Sequence, residues 1–233
     1  MLACALTAAP VAAQPASGPR ETVDQSFTTT APGAATGLAF SAAYHAAGDP
    51  QGNPPYLRRM VFQSPPGMRY DTSVPDRCTA TDAQLAVMGP DACPAGSRIG
   101  TGTTDGIFYF PFSGDQVVDR FHHTLHVLNG DHEQILLVES EGYTVVRGRF
   151  TSDGSLEFDP PSCFPAPPAG GCADDYILQL KSATTIPAIT RAGRAYATTP
   201  PSCPSTGEWE TTLRYWWSDG STDAVVTRQP CGS

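Results

Sequence analysis

Short runs rich in β-branched and aromatic residues recur along this chain, and each run ends at Pro, Gly, Asp or Ser. This pattern is typical of strands that alternate with tight turns, and it leaves few helical windows. The predicted strands are 25–29, 36–45, 57–63, 99–103, 107–112, 116–128, 134–139, 142–150, 155–158, 176–184, 194–199, 208–217 and 222–228. Because 233 residues suit one large all-β domain, we predict a single antiparallel β-sandwich or jelly roll over residues 25–233.

Two hairpins carry clear turn signals. Asn129-Gly130 is a pair that tolerates positive φ at both central positions of a turn. Strand 116–128 is therefore predicted to fold back onto strand 134–139, with His126 opposite Glu133. The second signal, Ser218-Asp219-Gly220, lies between the last two predicted strands.

One short helix is predicted from Asp82 to Met88. Thr81 can cap the amides of its first turn, and Gln84 three residues later completes a capping box. Gly89 and the proline after it end the helix.

The first residues of the chain resemble an export signal. Residues 1–13 carry no charge and run apolar and small to a Val11-x-Ala13 pattern, although a positively charged n-region is missing. We expect 1–13 to be a signal peptide, 14–24 to be a flexible tail, and the protein to be secreted and extracellular. Cys4 would be removed with the signal peptide.

Cysteine usage agrees with export. Of the seven cysteines, the six that follow the signal segment form an even set, which implies disulfides in an exported protein. They fall into three sequence-local couples, and short loops close at the least entropic cost. The expected pairs are Cys78 with Cys93, Cys163 with Cys172, and Cys203 with Cys231.

The run from Arg58 to Gly102 resembles uncharacterised secreted, β-rich proteins of GC-rich Gram-positive bacteria. In that family a strand ends in Pro-Gly, a Cys follows, then a short helix, then Cys-Pro-x-x-Ser-x-Ile-Gly. Here the two ends of the pattern are Pro66-Gly67 and the segment from Cys93 to Gly100. The resemblance implies an exported β-rich domain and carries no known activity or catalytic residue. A bacterial source is expected from residue usage, because Lys181 is the single lysine while Ala, Gly and Pro are abundant, as in a GC-rich genome.

The negative net charge of the chain argues against one class of partner, nucleic acid. The formal net charge is -9, so the basic surface that nucleic acid requires is lacking, and we expect no nucleic-acid partner. The apolar run at residues 1–13 is too short to span a membrane, and no transmembrane segment is predicted.

Four of the five histidines lie between Phe121 and Glu133. On a strand, His122 and His126 would be roughly 13 Å apart, which is too far for one metal ion to bridge. We therefore expect no metal and no cofactor, and histidines that only titrate on a half-exposed hairpin. The alternative is a secreted hydrolase or lyase, possibly metal-dependent, with His126, His132 and Glu133 as catalytic candidates and with His122, His126 and His132 as metal candidates.

Aromatic residues favour a binding role. Alternation over residues 208–217 puts Trp209, Thr211, Leu213, Tyr215 and Trp217 on one face, predicted to be core, and Trp216 on the other. Trp216, Phe108, Tyr109 and Phe110 are the ligand-binding candidates, since exposed aromatics can stack on a sugar ring or an apolar ligand. We therefore predict an extracellular or envelope-associated binding module, whose partner is cell-envelope carbohydrate or a small apolar ligand.

Overall fold

The computed structural model describes residues 16–109, 117–161 and 177–232. Its strands are β1 (Ala16–Ser17), β2 (Glu21–Phe27), β3 (Leu38–Tyr44), β4 (Leu57–Gln63), β5 (Arg69–Tyr70), β6 (Arg98–Tyr109), β7 (Val117–Asn129), β8 (Glu133–Glu139), β9 (Tyr143–Phe150), β10 (Leu156–Phe158), β11 (Ile177–Ile186), β12 (Thr190–Arg191), β13 (Arg194–Ala195), β14 (Ala197–Thr198), β15 (Glu208–Trp217) and β16 (Thr222–Pro230). The helix α1 (Asp82–Met88) is followed by two 3₁₀ turns, Gly89–Ala92 and Ala95–Ser97. The predicted all-β fold with one short helix is confirmed.

One sheet of twelve strands makes up the body of the protein, in the order β1-β2-β3-β11-β6-β7-β8-β9-β10-β4-β15-β16. Every neighbouring pair in it is antiparallel. The sheet curls until β16 lies beside β2. Its two halves therefore face each other like the layers of a sandwich, and alternate side chains of each strand point between them.

Side chains close the seam between β2 and β16. The Phe27 amide donates to Gln229 Oε1 at 2.6 Å, and Gln229 Nε2 donates to the Phe27 carbonyl at 3.1 Å. Thr227 Oγ1 donates to Gln25 Oε1 at 3.2 Å. Since residue 25 meets 227 and residue 27 meets 229, the two strands run in the same direction at this seam.

The aromatic face of β15 fills the interior beside that seam. Its inward side chains are at most 4 % exposed, and they are Trp209, Thr211, Leu213, Tyr215 and Trp217. The core stripe predicted from the alternation is therefore confirmed. Tyr44 of β3 packs its ring edge against this stripe, with centroids 5.9 Å from Tyr215 and 5.8 Å from Trp217.

The helix α1 packs on the outer face of the sheet. The Gln84 amide donates to Thr81 Oγ1 at 3.3 Å, and the Thr81 amide donates to Gln84 Oε1 at 2.9 Å. This is the predicted capping box. Leu85 is fully buried against β8 side chains, so the helix supports this strand from outside.

Two predicted disulfides are confirmed. Cys78 bonds to Cys93 and brackets α1, and Cys203 bonds to Cys231 just beyond β16. The third predicted pair, Cys163 with Cys172, lies outside the described residues.

The flexible tail predicted for residues 14–24 is wrong where the structure describes it as strand. Ala16 and Ser17 pair with β2, and β2 begins at Glu21 rather than at residue 25. Glu21 and Val23 are both 0 % exposed. The segment looks polar in isolation, but β3 and β16 supply the burial that orders it.

The prediction of two separate strands in the region of β6 is also wrong. The predicted strands 99–103 and 107–112 are one strand as far as Tyr109, with no turn at residues 104–106. A side chain on Gly106 would come within 2.2 Å of the Phe121 ring. This glycine therefore admits an aromatic ring from the neighbouring strand instead of marking a turn.

The β7–β8 turn lies two residues further along than predicted. The Gly130 amide donates to the Glu133 carbonyl at 2.9 Å, so Asp131 and His132 form the turn, with His132 at φ 55°. Asn129 is buried instead, and its side-chain amide donates to the Thr72 carbonyl at 2.9 Å. A shift of two residues preserves which side chains face inward.

Candidate ligand-binding site

A cavity of about 120 Å³ lies inside the curled sheet. Its apolar lining includes Leu38, Phe40, Met60, Phe62, Leu125, Leu136, Val138, Val146, Leu156 and Phe158. A cavity of about 150 Å³ with such walls is large enough to bind benzene. This space, the inner cavity, therefore has room for about one ring or for the end of an alkyl chain.

Several side chains around the inner cavity are only partly buried. Phe40, Phe62 and Leu136 point between the two layers and yet keep accessible surface. Packing at normal core density buries such side chains almost completely, as it does for Leu213, which is 0 % exposed. Their remaining surface faces the cavity.

Among the described residues, no charged side chain lines the inner cavity. Its polar groups are neutral, and several of them are hydrogen-bonded. Gln134 Nε2 donates to Tyr196 Oη at 2.9 Å, and Gln179 Nε2 donates to Thr104 Oγ1 at 3.1 Å. A charged group placed here would lose its hydration without gaining a counter-charge. The inner cavity therefore suits uncharged, apolar groups.

A larger space of about 660 Å³, the outer pocket, adjoins the inner cavity. Five described residues line both spaces: Thr104, Val138, Val146, Pro160 and Gln179. The volume lies in the range of about 300–1,000 Å³ that is usual for small-molecule sites. One ligand could therefore extend from the outer pocket into the inner cavity.

The outer pocket differs from the inner cavity in its charge. Among its described lining residues are the carboxylates of Asp119, Glu139 and Glu141 and the guanidinium of Arg120. Among the described lining residues of the outer pocket, there are therefore three carboxylates and one guanidinium.

His123 lies at one end of the aromatic wall of the outer pocket. Its ring stacks on Phe121 with centroids 4.9 Å apart, and Phe121 contacts Phe108 at 4.8 Å. Its Nε2 is buried and has no hydrogen-bond partner among the described residues. Burial, with a contribution from neighbouring His122, lowers the pKa of His123 below its ordinary value of 6.5. The ring is therefore neutral at pH 7 and can hydrogen-bond to a ligand.

The histidines on the opposite face of β7 already have acidic partners. His122 Nδ1 contacts Asp105 Oδ1, and His126 Nε2 lies 2.9 Å from Glu139 Oε2. Both histidines sit on the outward face, as the alternation predicts. The predicted pairing of His126 with Glu133 is wrong, because the turn lies further along the chain and His126 pairs with Leu137.

The structure does not bring the predicted catalytic candidates together. His132 is at the tip of the hairpin with its side chain 80 % exposed. Glu133 Oε1 accepts a hydrogen bond from Arg147 Nη1 at 2.5 Å. His126 pairs with Leu137, four strand residues from Glu133 and hence roughly 13 Å away. Within the described ranges, no group of three His, Cys, Asp or Glu side chains could hold a metal ion.

Trp216 lies on the outward face of β15, as expected from the alternation. The guanidinium of Arg59 from β4 stands over its ring, 5.2 Å from the centroid. Such a cation–π contact occupies one face of the indole. Trp216 lines neither the inner cavity nor the outer pocket.

The other aromatic candidates follow β6. Phe108 lines the outer pocket. Tyr109 Oη accepts a hydrogen bond from Asn53 Nδ2 at 2.5 Å. Phe110 lies outside the described residues. Of these candidates, Phe108 is the one that the structure brings into the site.

The sequence did not predict that neutral polar residues line the inner cavity, among them Gln134, Gln179 and Ser182. They occupy inward positions on strands β8 and β11, where a closely packed core would favour apolar residues. That signal is readable only when the strand register is known, because a one-residue slip exchanges the two faces.

The two described disulfides suggest an oxidising environment. No helix in the described ranges has the length and hydrophobicity to cross a membrane. No protein-family model, curated protein or solved structure shows significant similarity to this chain.

Proposed function

We propose that this chain is a secreted binding protein that holds a small apolar ligand between the two layers of its sheet. One observation carries the proposal: the inner cavity has apolar, uncharged described walls and adjoins a pocket of ordinary ligand-binding size. A protein that only needed stability would gain from closing this space, since cavities in a core are destabilising.

The disulfides support an extracellular setting for this function. An apolar compound outside the cell has low solubility in water, and a closed sheet that shields it would keep it dispersed. The ligand then gains the hydrophobic free energy of burial, at roughly 25 cal/mol per Å² of apolar surface.

The other predicted functions receive less support. Carbohydrate stacking would use Trp216, but Arg59 stands over its ring. Hydrolysis would use His126, His132 and Glu133, which have separate surroundings. We therefore favour the apolar ligand among the two ligand classes that the sequence suggests.

The test is a titration of the purified protein with diphenylhexatriene, a hydrocarbon whose fluorescence rises in apolar surroundings. We expect saturable binding of one probe per chain. Val138→Trp would place a large side chain where the inner cavity meets the outer pocket, and should weaken binding at least tenfold. Thr124→Trp adds the same side chain at an exposed position on the outer face of β7 and should leave binding unchanged.

Two outcomes would overturn the proposal. One is the absence of saturable probe binding by a folded protein. The other is equal loss of affinity in the Val138→Trp and Thr124→Trp variants, because that would show that the probe does not enter the interior.

A further inference from the structure

The structure also indicates the charge and the head group of the ligand, and this inference rests on the proposed binding function. We infer that the ligand is an uncharged amphiphile whose apolar end enters the inner cavity and whose hydroxyl head hydrogen-bonds to His123 Nε2 in the outer pocket. The site thus distinguishes between head groups as well as accepting an apolar body.

The two spaces differ in the way that the two ends of an amphiphile differ. The inner cavity is small, and its described walls are uncharged. The outer pocket is several times larger, and its described lining contains charged side chains. A narrow apolar end fits the first space, and a bulkier end that keeps contact with polar groups fits the second.

His123 lines the outer pocket and has a buried Nε2 without a partner among the described residues, which a rotation of the ring would turn towards a head group. A buried polar atom without a partner is costly, so a ligand that supplies the missing hydrogen bond gains affinity. In a neutral imidazole one nitrogen donates and the other accepts, and either tautomer is possible. A hydroxyl can both donate and accept, so it pairs with Nε2 in either case.

Charge in the outer pocket argues against an anionic head. A carboxylate or sulfate would lie among the carboxylates of Asp119, Glu139 and Glu141, with Arg120 as the one guanidinium in the described lining. A quaternary ammonium would be tolerated by these acids, but it has no hydrogen-bonding group and would leave His123 Nε2 unpaired. The uncharged hydroxyl satisfies both conditions.

The experiment compares three ligands with the same ten-carbon tail: decan-1-ol, decanoate and decyltrimethylammonium. Each displaces diphenylhexatriene from the protein at pH 7.5, where His123 is neutral. We expect decan-1-ol to bind at least about fivefold more tightly than either charged compound, the factor that one additional neutral hydrogen bond supplies. Tighter binding of either charged compound would overturn the inference.

Two histidine variants locate the hydrogen bond. His123→Leu should weaken decan-1-ol binding about fivefold more than it weakens diphenylhexatriene binding, because the hydrocarbon makes no hydrogen bond and loses only its contact with the ring. His126→Leu is the matched control on the outward face of the same strand, and it should change neither affinity.

Failure of the proposed binding function and failure of the head-group inference give different results. If diphenylhexatriene does not bind, the proposed function fails. If the probe binds but His123→Leu changes the affinities of decan-1-ol and of the probe by the same factor, the binding function stands and the head-group inference is wrong.

Discussion

Side chains are packed more closely on one side of the interior than on the other. On the seam side, formed by β15, β16 and β2, Leu213, Tyr215 and Val23 are each 0 % exposed. On the pocket side, formed by β6–β9, inward side chains such as Leu136 and Phe121 keep accessible surface. One curled sheet thus contains a closely packed seam and, between β6–β9 and the strands that face them, a cavity.

The difference in packing means that the seam side contributes most to stability and the pocket side is free to bind a ligand. In the part of the chain that the structure describes, no backbone ladder joins β2 to β16, so close packing and side-chain hydrogen bonds hold the two strands together. The pocket side has continuous backbone pairing from β6 to β9 and is supported from outside by α1. Because that pairing does not depend on a filled interior, the pocket side can maintain a cavity.

The largest expected effect comes from the same substitution made on the two sides. Leu213→Ala removes side-chain atoms from a fully packed site, and should lower the free energy of unfolding by about 3–5 kcal/mol. Leu136→Ala enlarges an existing cavity and should cost about 1–2 kcal/mol, since part of its side chain is already exposed there. Chemical denaturation of both variants measures the difference. Equal losses would mean that the two sides are packed alike.

The disulfides provide the next test. In the chain-entropy model, loops with sequence separations of 15 and 28 residues make bridges worth about 3 and about 3.5 kcal/mol. Replacing either pair with serine should therefore destabilise the protein by a similar amount. Only loss of Cys78–Cys93, which releases α1 from the pocket side, should also weaken diphenylhexatriene binding. A loss of binding confined to the Cys203–Cys231 variant would contradict this division.

The seam side should also make stability depend on pH. Glu21 is 0 % exposed, and its desolvation, together with the charge of nearby Asp223, raises its pKa from 4.5 to about 7. Between these values the unfolded chain has lost the proton that the folded chain keeps. Stability is therefore greatest below pH 4.5, falls as the pH rises towards 7, and is then level for this group.

Glu21→Gln removes this titration while keeping a side chain that can donate a hydrogen bond to Asp223. From pH 5 to pH 8 the wild type should lose about 2–3 kcal/mol of unfolding free energy more than the variant does. Thermal and denaturant unfolding across this pH range would measure it. Parallel profiles for the two proteins would show that Glu21 does not hold its proton in the folded state.

The sequence predicts the seam side better than the pocket side. The alternation of β15 identifies Trp209, Leu213 and Tyr215 as core without reference to other strands. The cavity depends instead on which strands face each other across the sheet, as Phe40 of β3 does with Phe62 of β4 at 4.9 Å. No local pattern contains that long-range information.

Local signals also fail where a distant contact competes with them. Asn129-Gly130 has the composition of a turn, but the Asn129 side chain is used to hold the Thr72 segment. The turn therefore moves to Asp131 and His132. The helix signal at Thr81 and Gln84 is reliable because the whole capping box lies within four residues.

The smallest expected effect tests whether binding is confined to the interior. Trp216→Ala removes a half-buried indole on the outward face of β15 and its contact with Arg59, and should change the free energy of unfolding by about 0.5–1 kcal/mol. Diphenylhexatriene and decan-1-ol should bind as they do to the wild type, because Trp216 lines neither space. Phe108→Ala is the contrasting variant: Phe108 is also an aromatic residue predicted from the sequence, but it lines the outer pocket and its loss should weaken binding. If Trp216→Ala abolished binding while Phe108→Ala did not, the ligand would lie on the outer face of the sheet, and the cavity would be a packing defect of the pocket side.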